Sequence, residues 1–368
     1  MGFLEEPLST SEFDSFRPPE PEGGRRRKGK RAGRRGGADG SREMPMVPEA
    51  EFTSYYGRPV VKPAPWGHEV AAYLFLGGVA GGSALLAAGA QLTERNTLRR
   101  NTRLSALIAV MLGAVALVKD LGRPERFVNM LRTVKLTSPM SIGSWILSLF
   151  SAGIGIAAVS EVDRMTGGRI PLGPLRPVLR AVEGPAGLEA AVFAAPLAVY
   201  TAVLLTDTAT PTWNAAYKDL PFVFVSSASL AASGLAMITT PVAEAGPARS
   251  LAVIGAISDL ISARFTEYRM DPVTREPLHQ GTPGRLLAWS ERLAAAGGLG
   301  ALLGGRHRGV AAVSGVTLLT ASALLRFGFF EAGLESARHP RYTIEPQKRR
   351  LAARRAAGVA GDSITTAD

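Results

Sequence analysis

The sequence predicts an all-α integral membrane protein of about eight transmembrane helices, and three observations carry that expectation. Of the 368 residues 46% are hydrophobic, and they do not alternate with polar ones. They gather instead into long blocks that approach the ~20 residues needed to cross a hydrocarbon core. Charge lies mostly between the blocks. The chain also has no cysteine and only four histidines (His68, His279, His307 and His339), none of them deep inside an apolar block. Disulfides, iron–sulfur clusters and thiolate metal sites are thereby excluded from this chain. A haem held between axial histidines within the helices is not expected either.

The blocks run in order from Val70–Leu92 through Leu104–Val118, Ser141–Val159, Gly187–Leu205 and Phe222–Ile238, the last closed by Pro241. Ala248–Ala263 follows, interrupted by Asp259. Leu286–Leu303 carries Glu291 and Arg292, and Val310–Phe330 carries Arg326. Block one contains two small-residue pairs at helical spacing, Gly77 with Gly81 and Gly78 with Gly82, which suit close backbone approach between helices. Residues 1–62 read as a disordered basic tail, with the run Arg25–Arg35 in a Gly-rich, Pro-flanked setting. No apolar stretch follows Arg25, Arg26 and Arg27, so no cleaved signal is expected. Residues 334–368 read as a basic C-terminal tail.

The formal net charge is +11. The apolar blocks argue against nucleic acid as the partner; the lipid bilayer is the expected one. Lys and Arg collect in cytoplasmic loops of membrane proteins. An even number of spans places both basic tails on one side. The loop with Lys119, Arg123, Arg126, Arg132 and Lys135 shares it, as does the loop with Arg264, Arg269, Arg275 and Arg285. Arg95, Arg99, Arg100 and Arg103 oppose them. A multi-pass protein of the cell membrane with cytoplasmic termini is therefore expected.

Chemistry is sought at the membrane boundary, where an acid is costly unless paired or wetted. Asp120 beside Arg123 and Arg126 suits a buried ion pair or a proton relay, and equally a loop cluster that only sets topology. His68 and Glu69 are titratable groups at the start of the first block. They suit proton shuttling or a solvated helix start in which Glu favours the dipole. Tyr73 shares a helix face with Glu69. Tyr200 lies late in the fourth block. Both phenols are donors of the kind a quinone carbonyl needs, and both also suit interfacial aromatics.

Several segments together resemble the NrfD/PsrC family. They are TyrLeuPheLeuGlyGlyValAlaGlyGly (Tyr73–Gly82), AspLeuGlyArgProGluArgPheValAsnMetLeu (Asp120–Leu131) and SerProMetSerIleGlySerTrp (Ser138–Trp145). TyrThr (Tyr200–Thr201), ProThrTrpAsn (Pro211–Asn214) and ArgPheGlyPhePheGluAlaGly (Arg326–Gly333) extend the resemblance, which covers about residues 63–346. Members are membrane anchors of polysulfide reductase and related molybdoenzymes and of alternative complex III.

The resemblance implies two four-helix bundles, residues 63–207 and 208–333, with a quinone site in the first. It implies menaquinone or ubiquinone as bound substrate and no redox centre, haem or metal in this chain. Electrons would pass through a ferredoxin-like iron–sulfur subunit that contacts a molybdopterin catalytic subunit, as in polysulfide reductase or formate dehydrogenase-like complexes. The chain itself would hold no catalytic residue. By motif position, Tyr73, Tyr200, Asp120 and Arg123 are the quinone-binding candidates. Tyr73 stands where polysulfide reductase has a quinone-binding His, which changes the acidity of the donor. Arg126 belongs with the charged cluster; His68 and Glu69 match no family position and remain relay candidates on chemistry alone. Two other classes stay in view. Asp259, Glu291, Arg292 and Arg326 suit a secondary transporter or channel, although no inverted repeat relates the halves. A purely structural anchor is the third.

Overall fold

The computed structural model describes residues 59–122 and 124–358. The N-terminal tail up to residue 58, the last ten residues and Arg123 lie outside the described residues. Among those described, every regular element is helical. The long helices are α1 (His68–Leu92), α2 (Asn96–Asp120), α3 (Pro139–Met165), α4 (Leu175–Thr206), α6 (Leu220–Thr239), α7 (Gly246–Arg269), α9 (Gly281–Gly304) and α10 (Arg308–Arg338). Shorter helices are α5 (Pro211–Ala215), α8 (Pro272–Arg275) and α11 (Arg341–Ala356), with 3-10 segments at Pro124–Leu131 and Glu276–Leu278. Six helices (α1 to α4, α6 and α10) are long and apolar enough to cross a membrane. The chain is an all-helical membrane protein. α7 and α9, at 24 residues each, fall within the 20 to 32 residues of those six but are diluted by Asp259, Glu291 and Arg292.

Several helices overrun their apolar blocks, because their charged ends find partners rather than stopping the helix. α3 continues through Glu161, Asp163 and Arg164, and α4 begins twelve residues ahead of Gly187. Ser138 caps α3, its hydroxyl accepting from the Ser141 N–H at 3.4 Å, with Pro139 in the first turn, where its missing donor costs nothing. Past α10, which ends at Arg338, helix α11 lies against α5 and α8, with Tyr342 and Pro346 buried and Arg349 3.5 Å from Asp271.

Helices α1 to α4 pack on one another, as do α6, α7, α9 and α10; α1 also packs on α6 and α10, and α4 on α6. The glycines of α1 explain its place between the groups. A Cβ on Gly81 would lie 2.8 Å from the Ala194 carbonyl of α4, and one on Gly82 only 2.6 Å from Ala232 Cβ of α6. Without a hydrophobic drive between helices in lipid, such contact comes from small residues. Gly77 is different: it is buried, yet a Cβ there would meet nothing within 4 Å.

The polypeptide turns between α6 and α7 so that Glu244 reaches the start of α2. Its Oε2 accepts from the Thr97 and Leu98 N–H groups at 2.8 and 3.1 Å, and no side chain within α2 caps that terminus. A carboxylate here satisfies orphan donors and meets the positive end of the helix dipole. The hydrogen bond from Thr97, with the Leu98 amide and Arg95 nearby, holds the Glu244 carboxyl below its ordinary range. A depressed folded pKa adds stability that is present above the unfolded value of ~4.3 and is lost as pH falls through the folded one. Glu244→Ala is expected to cost about 1 kcal/mol. The check is thermal unfolding in detergent: wild type and variant should differ at pH 7 and converge below about pH 4.

Candidate functional site

The start of α1 and the ends of α2, α4 and α10 meet at one end of the molecule, here called the Asp120 end. Asp120 Oδ1 accepts from the Gly67 N–H at 3.0 Å, tying the last residue of α2 to the residue before α1. Trp66 stacks on Trp213 of α5 at 5.8 Å between ring centroids. Trp213 is fully buried, donates from Nε1 to the Phe329 carbonyl at 3.0 Å and leaves no room for a side chain on Gly333. The Pro211–Asn214 and Arg326–Gly333 segments, distant in sequence, thus pack face to face.

Two of the seven candidate residues converge in the core of α1 to α4. The rings of Tyr73 and Tyr200 lie 6.4 Å apart, and both are buried. Each is seated by a glycine. Gly113 of α2 brings its backbone against Tyr73, where a Cβ would lie 3.3 Å from the ring. Gly143 of α3 faces the Tyr200 ring so closely that a Cβ there would overlap it. Tyr73 lies five residues inside α1 and Tyr200 six residues before the end of α4, about 8–9 Å from those termini at 1.5 Å per residue. Among the described residues, the Tyr73 hydroxyl has no hydrogen-bond partner, nor has the buried Nε1 of Trp145, two residues beyond Gly143. A groove of about 400 Å³ opens between α3 and α4 against Tyr200, walled by Ile142, Ile146, Pro196, Val199 and Val203, with Asp207 at its rim.

The remaining candidates occupy the boundary around this pair. Glu69 pairs with Lys119 at 3.1 Å, and exposed His68 reaches Glu331 of α10 at 2.8 Å. Asp120 serves as the link to Gly67. Arg123 lies outside the described residues, and Arg126 lies on the 3-10 segment Pro124–Leu131. Gly143 and Trp145 were not among the sequence candidates, although both stand in the Ser138–Trp145 segment. A glycine in the interior of a span was the available signal.

The largest polar cluster lies at the opposite end and was not anticipated. Glu161 Oε1 accepts from Arg99 Nε and Arg103 Nη1, each at 2.8 Å, while Arg103 Nη2 donates to Gln91 at 2.6 Å. Asp163 pairs with Arg180 at 2.7 Å and Arg176 at 3.3 Å, and Glu183 takes Arg164 and Ser160. These contacts join α1 to α4. The signal for them was the pair of acids Glu161 and Asp163 facing the Arg95–Arg103 run across the first four blocks. In the other helix group Arg326 is buried, its guanidinium 3.7 Å from the Phe224 ring centroid and donating to the Phe224 carbonyl at 2.5 Å. Asp259 is buried, its Oδ1 without a partner among the described residues. Glu291 pairs with Arg264 at 2.8 Å, and Arg292 lies over Trp289. Among the described residues, no three acidic or histidine side chains are gathered as metal ligands would be.

A search of curated proteins finds no match to the chain. The family model described as polysulphide reductase, NrfD, matches residues 60–260, more than half of the sequence and all of α1 to α6. Members of that family are membrane subunits of quinone-linked oxidoreductases. The converging tyrosines, their glycine seats and the Asp120 link all fall inside the matched region, and the chain belongs to the NrfD family.

Proposed function

We propose that this chain is the membrane subunit that exchanges electrons between an iron–sulfur partner subunit and membrane quinone, with the quinone head group held beside Tyr73 and Tyr200. The observation that carries this is the Tyr73 hydroxyl, buried without a partner among the described residues. Leaving a buried donor unsatisfied costs about 1–3 kcal/mol, and a quinone carbonyl is an acceptor that would remove that cost. The void beside Gly77, one turn deeper on the same face of α1, is consistent with it. The apolar groove against Tyr200 suits an isoprenoid tail entering from lipid. Menaquinone and ubiquinone both present such a carbonyl and tail.

A chain without cysteine has no iron–sulfur cluster of its own, so electrons need a partner, for which a ferredoxin-like subunit backed by a molybdopterin catalytic subunit is the family's arrangement. The tyrosine pair lies close to the Asp120 end, which makes that end the docking face. Its loops and the helix α11 carry Lys119, Arg275, Lys348, Arg349 and Arg350. At the other end Arg99, Arg103, Arg164, Arg176 and Arg180 are bound to Glu161, Asp163 and Glu183; at the Asp120 end Lys119 is bound to Glu69 and Arg349 to Asp271. Eight crossing helices, with α7 and α9 included, then place both termini and the partner in the cytoplasm.

The test is purification of the native complex with extraction of bound quinone, together with Tyr73→Phe. Wild type is expected to retain quinone and a subunit with iron–sulfur electron resonance signals. Tyr73→Phe should keep normal yield and slow quinone-linked turnover about tenfold, the worth of one buried hydrogen bond. Absence of bound quinone together with unchanged turnover in Tyr73→Phe would sink the proposal.

A further inference from the structure

The outer faces of α6 and α7 enclose a second concavity, remote from the tyrosine pair. It measures about 820 Å³, within the ~300–1,000 Å³ range of ligand sites. Its wall is apolar and open to lipid: Phe222 is 69% exposed, and Ile254, Ile261 and Phe265 are exposed as well. Three of the serines that line it, Ser226, Ser229 and Ser262, donate to carbonyls of their own helices. Ser226 donates to the Phe222 carbonyl at 2.7 Å and Ser229 to that of Val225 at 3.0 Å. Gly255 closes the floor, where a Cβ would lie 3.0 Å from Ser229 Cβ.

The mouth is charged. Lys218 lies over the Tyr217 ring at 5.3 Å and has no carboxylate partner among the described residues. Arg269, in the last turn of α7, is shared between Asp219 at 3.1 Å and the Phe265 ring at 5.4 Å. Two cations against one carboxylate leave one positive charge at the Asp120 end of an apolar slot. From Arg269 back to Gly255 is fourteen residues of helix, about 21 Å at 1.5 Å per residue. Half of a bilayer ~40–45 Å thick with its headgroups has that depth.

We infer that this groove is a binding site for an anionic phospholipid, whose phosphate is held by Lys218 and Arg269 and whose acyl chain lies along α6 and α7 to Gly255. Basic residues between helices at the headgroup level recognise acidic lipid. The charge at the mouth is what selects this occupant. A second copy of the chain or an apolar helix of another subunit would cover the wall and leave Lys218 without a counter-ion.

Native mass spectrometry of the full-length protein in detergent, offered phosphatidylglycerol or phosphatidylcholine at equal concentration, tests the inference. The lipid adduct most resistant to collisional removal is expected to be phosphatidylglycerol, at least fivefold over phosphatidylcholine. Lys218→Glu, an exposed change outside the helices, should bring that ratio to about one. Ser258→Trp, which fills the slot from an exposed position, should remove the retained adduct. A wild-type ratio near one, a ratio untouched by Lys218→Glu, or retention unaltered by Ser258→Trp overturns it. So does a dimer that Ser258→Trp dissolves, since a second copy then occupies the groove.

Discussion

Glu161→Leu is expected to be among the most destabilising single substitutions in the chain, at about 3–5 kcal/mol, the cost of stranding a buried charge. Arg103 is 1% exposed and Glu161 2%. The carboxylate is the common acceptor of Arg99 and Arg103, so its loss leaves a guanidinium without compensation where water is excluded. Arg103 also holds Gln91 of α1, and Gln91 donates to the Gly184 carbonyl of α4 at 3.2 Å. All four helices therefore lose an anchor at once. Yield and melting temperature in detergent should both fall. A double variant, Glu161→Leu with Arg103→Met, should recover much of the loss, because apolar replacement of both partners removes the desolvation penalty along with the attraction. The cluster lies at the end opposite the tyrosine pair, so turnover per folded molecule should change little. A single variant as stable as wild type would show that water or a neighbouring group already neutralises Arg103.

How far these features were legible in the sequence follows from what each depends on. Hydrophobic block length set the spans directly, because a bilayer imposes one length on all of them, and the weaker blocks at Asp259 and Glu291 correspond to the two long helices of lesser apolarity. The Gly81 and Gly82 contacts were likewise predictable, since a small residue in a span has little other use, whereas Gly77, read the same way, packs against no neighbouring helix. Tyr73 and Tyr200 could be placed at one end by counting alternating spans, and the structure puts them there in contact. Their glycine seats needed the angular register of α2 and α3, which spacing within one helix does not contain. The Glu161 cluster was harder still. Arg99 and Arg103 read as loop charges that set orientation, because nothing local says that an acid sixty residues later turns inward to meet them. The contact from Gly67 to Asp120 was also hidden, its donor being a backbone N–H, which every residue but proline offers.

Gly77→Leu is expected to separate stability from function in the other direction. Gly77 is buried, no described atom beyond its own stretch of α1 lies within 4 Å of where its Cβ would stand, and it follows Tyr73 by one turn on the same face of α1. Replacing glycine inside a helix gains about 0.5–1 kcal/mol of backbone entropy, and the new Cβ enters open space. Melting temperature in detergent should therefore hold or rise. If the proposed head-group site includes that void, the leucine side chain takes the space the ring needs. Quinone-linked turnover of the assembled complex should then fall at least about tenfold, with loss of bound quinone, which corresponds to about 1.4 kcal/mol of lost binding. Gly82→Ala is the control, because its Cβ would stand 2.6 Å from Ala232 Cβ. Overpacking there should cost about 1–3 kcal/mol of stability, while the space around Tyr73 is untouched. Turnover of Gly77→Leu at the wild-type rate, with quinone retained, would place the head group elsewhere, and the unpartnered Tyr73 hydroxyl would then need another explanation.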